Sequence, residues 1–457
     1  MFRFSVFVTL CAFLVSFLGA VPPAFGEQLQ RLPPSSTKSS SIAQRATVKE
    51  KKPPKASNAS QQVLQGAQSK TSNNTDDGKA KKTVPIDARR LKDHKLTEAV
   101  RYIKEHPNLR FKLQNMTIDP SFAVPLLTAL KDAQVLDKIK DIGFVMLNSA
   151  NGKNLEEGVF LVKVLPFLEH LDGLELLCLG ATNKIIKAIS KKIPHLKNLS
   201  LFGPGITNET VASLAKECPN LTKIHLINSN LTTPGIQTLA NNFPKLETLG
   251  VSGPNLKDSD FVILGTGKPT LRALSTMGYT FHDMTTVANL LRAMPKLHTL
   301  DISETNATDA VARAIAESSK LIKSLNISDT KITKEGVKEI VQNLDLTTFK
   351  INNLSGIGND ELELIAKSQP GLKKFHFSGI SFSDSGLVDI IVGLKRLNDV
   401  TLIPMSGSKW ILSEAVARML VLKKSKIQYL HIQADRLPEV LRMKIESEIP
   451  NIRIEYQ

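Results

Sequence analysis

Only three cysteines occur in the 457-residue chain, and Cys11 lies within the first apolar run. The remaining two, Cys178 and Cys218, are too few for a disulfide scaffold. They fall at different places in the pattern described below, so two separate thiols are expected. The spacings by which histidine and cysteine hold zinc are missing as well, with no HExxH and no paired CxxC. Neither a metal nor a cofactor is therefore expected. Aromatic residues make up 5%, with Trp410 the single tryptophan, so aliphatic side chains must do most of the packing. Beyond the N-terminal run no stretch approaches the ~18 apolar residues of a membrane-spanning helix. With 42% apolar and 22% charged residues, wholesale disorder is excluded.

The chain opens with Arg3, an apolar run from Phe4 to Leu18, and Ala24-Phe25-Gly26. Residues 1–26 are read as a signal peptide, and the mature protein as secreted or extracellular, periplasmic in a bacterium, with no transmembrane segment after cleavage. Residues 27–95 are rich in Ser, Lys, Pro, Gln and Asn, and hold 15 lysines and arginines against 6 acidic residues. Apolar residues there follow no period, so a disordered basic tail is expected. More than half of the net charge of +16 belongs to it. Aromatics do not interleave with those cations, which argues against nucleic acid as a partner. Residues 96–457 are expected to fold, beginning with a capping helix over 96–106 that presents Ala99, Val100 and Ile103 on one face.

What fills the folded part is one repeated phrase. Leu297, Leu300 and Ile302 are followed by SETNAT and a helical pattern through Val311, Ala312 and Ile315. Ile322, Leu325 and Ile327 are followed by SDTKIT and by Val337, Ile340 and Val341. The same triplet starts at Leu174, Leu196, Leu221, Leu246, Leu271, Leu346, Leu372, Leu397, Ile427 and Ile449, and in weaker form at Leu109 and Ile139. One short strand and one short helix per period cannot bury its apolar side alone, so neighbouring units must stack.

LAKECPNLTKIHL (214–226) resembles the Cys-Pro-x-Leu joint of cysteine-containing leucine-rich repeats, and LNISDTKITKEGVKEI (325–340) resembles short Thr-type repeats. The resemblance implies an α/β leucine-rich-repeat solenoid, a horseshoe with a parallel concave sheet and convex helices. The family's asparagine after each strand is absent. Pro204, Ser229, Pro254, Tyr279, Thr305, Thr330 and Ile380 stand there instead, so no continuous asparagine ladder is expected.

The residues between the core positions of each strand should face outward. They form a polar lane with few charges, from which the candidate binding residues are Lys223, His225, Asp301, Asn326, Lys350, His376, Tyr429 and His431. Tyr429 and His431 are the leading pair, with the insert carrying Trp410 beside them. His225, His376 and His431 lie several repeats apart at about 4.8 Å per strand, too far to share an ion. Asp301, Ser324 and His376 do not converge on one point, so no catalytic residue is assigned. The expected function is that of a secreted, monomeric, non-enzymatic protein binding a protein or glycan through the concave face. The alternative is a pathogen effector exported to a host cell, on the strength of Arg89-Arg90-Leu91-Lys92-Asp93, which resembles Arg-x-Leu export signals. Ten Asn-x-Ser/Thr sites also occur.

Overall fold

Alternation at every second residue gives a strand one buried face, and the helical spacing after it gives a second apolar surface to cover that face. The computed structural model describes residues 83–91, 94–117, 120–145, 163–177, 182–404, 429–433, 439–440, 443, 447 and 452–455. The signal segment, residues 27–82, Cys178 and the Trp410 insert lie outside the described residues. The chain divides into two compact units between Gln114 and Asn115.

In the first unit, strand β1 (Thr83–Asp87) is followed by a 3-10 turn (Ala88–Arg90), helix α1 (His94–Glu105) and the start of strand β2 (Arg110–Thr117), whose last three residues fall past the division. β1 and β2 pair in parallel, Val84 opposite Phe111 and Ile86 opposite Leu113. Two expectations are corrected here. β1 lies inside the 27–95 segment assigned to the tail, so ordered chain is present by Thr83. The helix expected as a cap over 96–106 instead connects two parallel strands. The alternation of Val84 and Ile86 spans only five residues and is interrupted by Pro85, too short a signal to stand out beside a basic tract.

The second unit opens with helix α2 (Pro120–Asp132) and strand β3 (Ile139–Val145). The strands that follow are β4 (Gly173–Leu177), β5 (Asn198–Phe202), β6 (Lys223–Ile227), β7 (Thr248–Val251), β8 (Ala273–Ser275), β9 (Thr299–Asp301), β10 (Ser324–Asn326), β11 (Thr348–Lys350), β12 (Lys374–Ile380), β13 (Asp399–Pro404), β14 (Tyr429–Gln433) and β15 (Ile452–Glu455), with a helix between successive strands from β4 to β13. Each pairs in parallel with the next, in chain order. This is the expected α/β solenoid. The triplet residues Leu297, Leu300, Ile302, Ile322, Leu325 and Ile327 are all buried.

One register differs from expectation. Leu174 pairs with Leu199 and Leu176 with Leu201, so the core triplet of β4 is Leu171, Leu174 and Leu176 rather than Leu174, Leu177 and Leu179. The adjacent Leu176 and Leu177 allow the alternation to be read in either phase, and a one-residue slip moves every side chain to the other face.

The helices between β4 and β13 are each ten residues long, and most start behind a threonine, serine or aspartate: Thr182, Thr207, Thr232, Asp283, Thr308, Thr333 and Ser383. Such residues meet the otherwise unpaired amides of a first helical turn. The missing asparagine ladder has a substitute at this edge. Asn208 donates from Nδ2 to Thr232 Oγ1 at 2.7 Å and accepts from the Thr232 amide at 3.1 Å. Asp309 accepts from the amide and hydroxyl of Thr333, both at 2.8 Å. Asn359 accepts from the Ser383 amide at 2.9 Å. The first residue of one helix thus fastens the cap of the next.

At the other helix end the closing residue alternates in character. It is apolar at Ile193, Phe243, Met294, Leu344 and Leu394, and polar at Cys218, Lys268, Ser319 and Gln369. The buried Lys268 ammonium donates to Phe243 O at 2.9 Å. Cys218 Sγ lies 3.4 Å from Ile193 O, and Gln369 Nε2 donates to Val341 O and Leu344 O at 2.6 and 2.7 Å. These three meet carbonyls at the end of the preceding helix, whereas the Ser319 hydroxyl is buried without a partner.

Candidate binding face

The pairing register places the outward residues in two straight rows. Over β9 to β13 the first row is Thr299, Ser324, Thr348, Lys374 and Asp399, and the second is Asp301, Asn326, Lys350, His376 and Thr401. Asp399 and Thr401 stand opposite Tyr429 and His431 of β14, whose side chains lie outside the described residues. Underneath, Phe349, Phe375 and Phe377 stack in series, with centroids 6.2 and 4.7 Å apart, and make a rigid floor.

Not all of the lane is accessible. His225, Asp301 and Asn326 are 1%, 0% and 4% exposed, contrary to the expectation that they face a partner. Row neighbours stand about 4.8 Å apart, so a short side chain is walled on both sides. His225 sinks for a further reason: its Cγ would lie 3.2 Å from a β-carbon placed on Gly250, so the ring occupies the room that glycine leaves. Asp301 Oδ1 accepts from the amide and hydroxyl of Ser303 at 2.9 and 2.6 Å, and Asn326 Oδ1 accepts from the Ser328 amide at 3.2 Å. These two are parts of the turns that follow the strands. Burial pushes the Asp301 carboxyl above its usual range.

Lys223, Lys350 and His376 remain half-buried and reachable. The structure gathers Lys350 and His376 with Lys374, Asp399 and Thr401, which the lane contained but which were not singled out. His376 Nδ1 is 3.2 Å from Thr401 Oγ1, its Nε2 is 3.4 Å from Asp399 Oδ1, and Lys374 Nζ is 3.5 Å from Asp399 Oδ2. Burial lowers the His376 pKa, against the pull of Asp399. Burial also lowers that of Lys350, against the pull of Asp301 and Asp399. Burial acts to raise Asp399, but His376 at 3.4 Å and the two lysines outweigh it and hold the carboxyl well below the usual range. The cluster is therefore a fixed lattice of opposite charges, two lysines about one carboxylate, able to pair with polar groups of a macromolecule. It lacks converged nucleophile chemistry, since Asp301 lies three strand spacings, about 14 Å, from His376. Among the described residues no group of three or more His, Cys, Asp or Glu could hold a metal ion.

A second feature was missed in the sequence. Five residues beyond the start of β5, β6 and β8 to β12 stands a left-handed residue, at Gly203, Asn228, Gly278, Glu304, Asp329, Asn353 and Gly379. Glycine, asparagine and aspartate tolerate that region, whereas a longer side chain is uncommon there. Glu304, at φ 57°, breaks the pattern, and its Oε1 is buried without a hydrogen-bond partner. Its signal was present: the fifth residue after each strand start has to be compared across repeats.

Within the motif Arg89–Asp93, residues 92 and 93 lie outside the described residues, and Arg89 and Leu91 take a definite form. Arg89 Nη2 donates to Asp87 Oδ2 at 2.7 Å and its Nε donates to Asp87 Oδ1 at 3.0 Å, while Leu91 is 4% exposed. The arginine and leucine are built into a folded turn rather than carried on a loose tail.

With this geometry in view, residues 318–341 match the family described as Leucine Rich repeat, spanning the end of one helix, β10 and most of the next helix. The fold is an α/β solenoid, and one of its repeats matches that family's model. Among solved structures it is similar to Rad7 in the Rad7 and Elc1 complex of yeast, with 15% identity, 79% of this chain and 89% of that chain covered, and a TM-score of 0.47. It is also similar to an internalin (inlF) of Listeria monocytogenes, with 15% identity, 82% and 87% covered, and a TM-score of 0.34. No curated protein matches it. No helix among the described residues is long and apolar enough to cross a membrane.

Proposed function

We propose that the chain is a secreted, monomeric, non-enzymatic binding protein that engages another protein through the sheet face of β11 to β13. The observation that supports this is the half-buried cluster of Lys350, Lys374, His376, Asp399 and Thr401 on three adjacent strands over a phenylalanine floor. Side chains so held lose little entropy when a partner docks. Mixed charge on a sheet favours a protein partner over nucleic acid, which needs a basic stripe. Secretion rests on the N-terminal run from Phe4 to Leu18. The alternative of an exported effector depends on an accessible Arg-x-Leu segment, and the burial of Leu91 with the Arg89–Asp87 pair weighs against it. The test is affinity capture from the extracellular fluid of the source, comparing the full chain with Lys350→Ala/His376→Ala/Thr401→Ala. Proteins retained by the parent should fall about tenfold with the triple variant at unchanged melting temperature. Equal retention by both would end this assignment.

A further inference from the structure

Eight of the ten Asn-x-Ser/Thr sites fall in the described fold, and their amides have different fates. Asn115 and Asn326 are buried. Asn208 Nδ2 donates to Thr232 Oγ1 at 2.7 Å, Asn230 Nδ2 to Pro204 O at 2.8 Å, and Asn306 Nδ2 to Phe281 O at 2.7 Å. Asn353 Nδ2 donates to Asp329 Oδ1 at 2.8 Å. Asn198 is half-buried in the outward row beside Lys223, where an added sugar would cover the sheet. Asn220 alone is exposed with its amide unengaged, in the turn between the helix Asn208–Glu217 and β6. The middle residue of its motif, Leu221, is fully buried and fixes that turn.

We infer that Asn220 is an N-glycosylation site, the position in the described array where a glycan is compatible with the fold. The inference rests on the secreted reading given above. The co-reactant is a lipid-pyrophosphate-linked oligosaccharide. Asn220 Nδ2 bonds to its anomeric carbon, the bond from that carbon to the pyrophosphate oxygen breaks, and one amide proton is lost as the lipid pyrophosphate leaves. Transfer of this kind occurs on the chain before it folds, so the fold decides which modified chains survive. At Asn208, Asn230, Asn306 and Asn353 a sugar on Nδ2 would displace bonds that join one repeat to the next. At Asn115 and Asn326 it would have to enter buried positions within β2 and β10. At Asn220 it stands in solvent ahead of the strand, three residues before the outward row is reached at Lys223.

The experiment expresses the full chain with its own leader in insect cells and maps glycopeptides of the protein in the medium before and after peptide N-glycosidase. Asn220 is expected to be occupied in most secreted molecules. Asn220→Gln should lose that glycan and keep the parent's melting temperature. Secreted, folded protein with Asn220 unmodified, or with glycan on Asn306 or Asn326, overturns the inference and leaves the secreted reading standing. Retention of the chain inside cells with its leader uncleaved overturns the secreted reading, and the inference with it.

Discussion

Glu304 and Asp329 occupy the same left-handed slot of consecutive repeats, at φ 57° and 56°. Both carboxyls sit above their usual range. Burial is the main cause for each, and for Glu304 the charges of Asp329 and Asp301 add to it, pushing it up to about 7. A carboxyl whose folded pKa exceeds its unfolded value holds a proton that the unfolded chain has already released. Stability is therefore expected to fall as pH rises from 4.5 to about 7. The loss should be roughly 1–3 kcal/mol. Glu304→Gln should remove most of this slope and melt higher than the parent at pH 8. Parallel melting curves for the two proteins between pH 5 and 8 would show that Glu304 carries no such proton.

Cys218 is buried, and burial pushes its thiol up to about 12, with Glu217 adding to the effect. The thiolate is the reactive form, so this cysteine should resist alkylation at pH 8. Mass spectrometry after iodoacetamide should find the Cys218 peptide unlabelled in native protein and fully labelled in guanidinium. Rapid native labelling would place the thiol in solvent and contradict its packing against Ser190 O and Ile193 O.

Gln369 satisfies three buried backbone groups at once. Its Nε2 donates to Val341 O and Leu344 O, and its Oε1 accepts from the Leu346 amide at 2.8 Å. Gln369→Leu keeps the volume and leaves one amide and two carbonyls unmatched, a loss of about 2–4 kcal/mol. Because each repeat touches only its neighbours, the damage should stay local. Hydrogen exchange should quicken at Leu346 and in the helix Lys334–Asn343, and stay unchanged around β5 and β6. Uniformly faster exchange along the whole array would argue for a single cooperative core instead.

Disruption of the core should be much larger. Leu325 is fully buried in β10, between Leu300 and Phe349. Leu325→Asp buries a carboxylate without a partner and should cost several kcal/mol, or about 3–5 by the measure of other uncompensated buried charges. Circular dichroism melting would reveal it. An unchanged transition would mean that the strand register is wrong.

The strand rows were legible because period-two alternation is a direct imprint of the pleat, and Leu297, Leu300 and Ile302 have no second way to alternate. Where two leucines adjoin, as at Leu176 and Leu177, the imprint becomes ambiguous and the phase slipped. Depth within the lane was not legible. Whether His225 projects or sinks depends on Gly250, which is adjacent only across the sheet. The pairing of Asp399 with His376 and Lys374 likewise follows from strands whose residues are about 25 positions apart in sequence. The inter-repeat bonds of Asn208, Asp309 and Asn359 replaced the family's ladder at the helix start, a position that a search confined to strand ends does not reach.

The alternation at the helix ends bears on how such a chain grows. Cys218, Lys268, Ser319 and Gln369 are separated by 50 or 51 residues, twice the strand-to-strand interval. A gene copying itself one repeat at a time would set two like closures side by side, two greasy plugs or two polar ones. Copying in pairs preserves the rhythm. Arrays lengthened or shortened by two repeats should therefore keep unlike closures adjacent, and arrays changed by a single repeat should not.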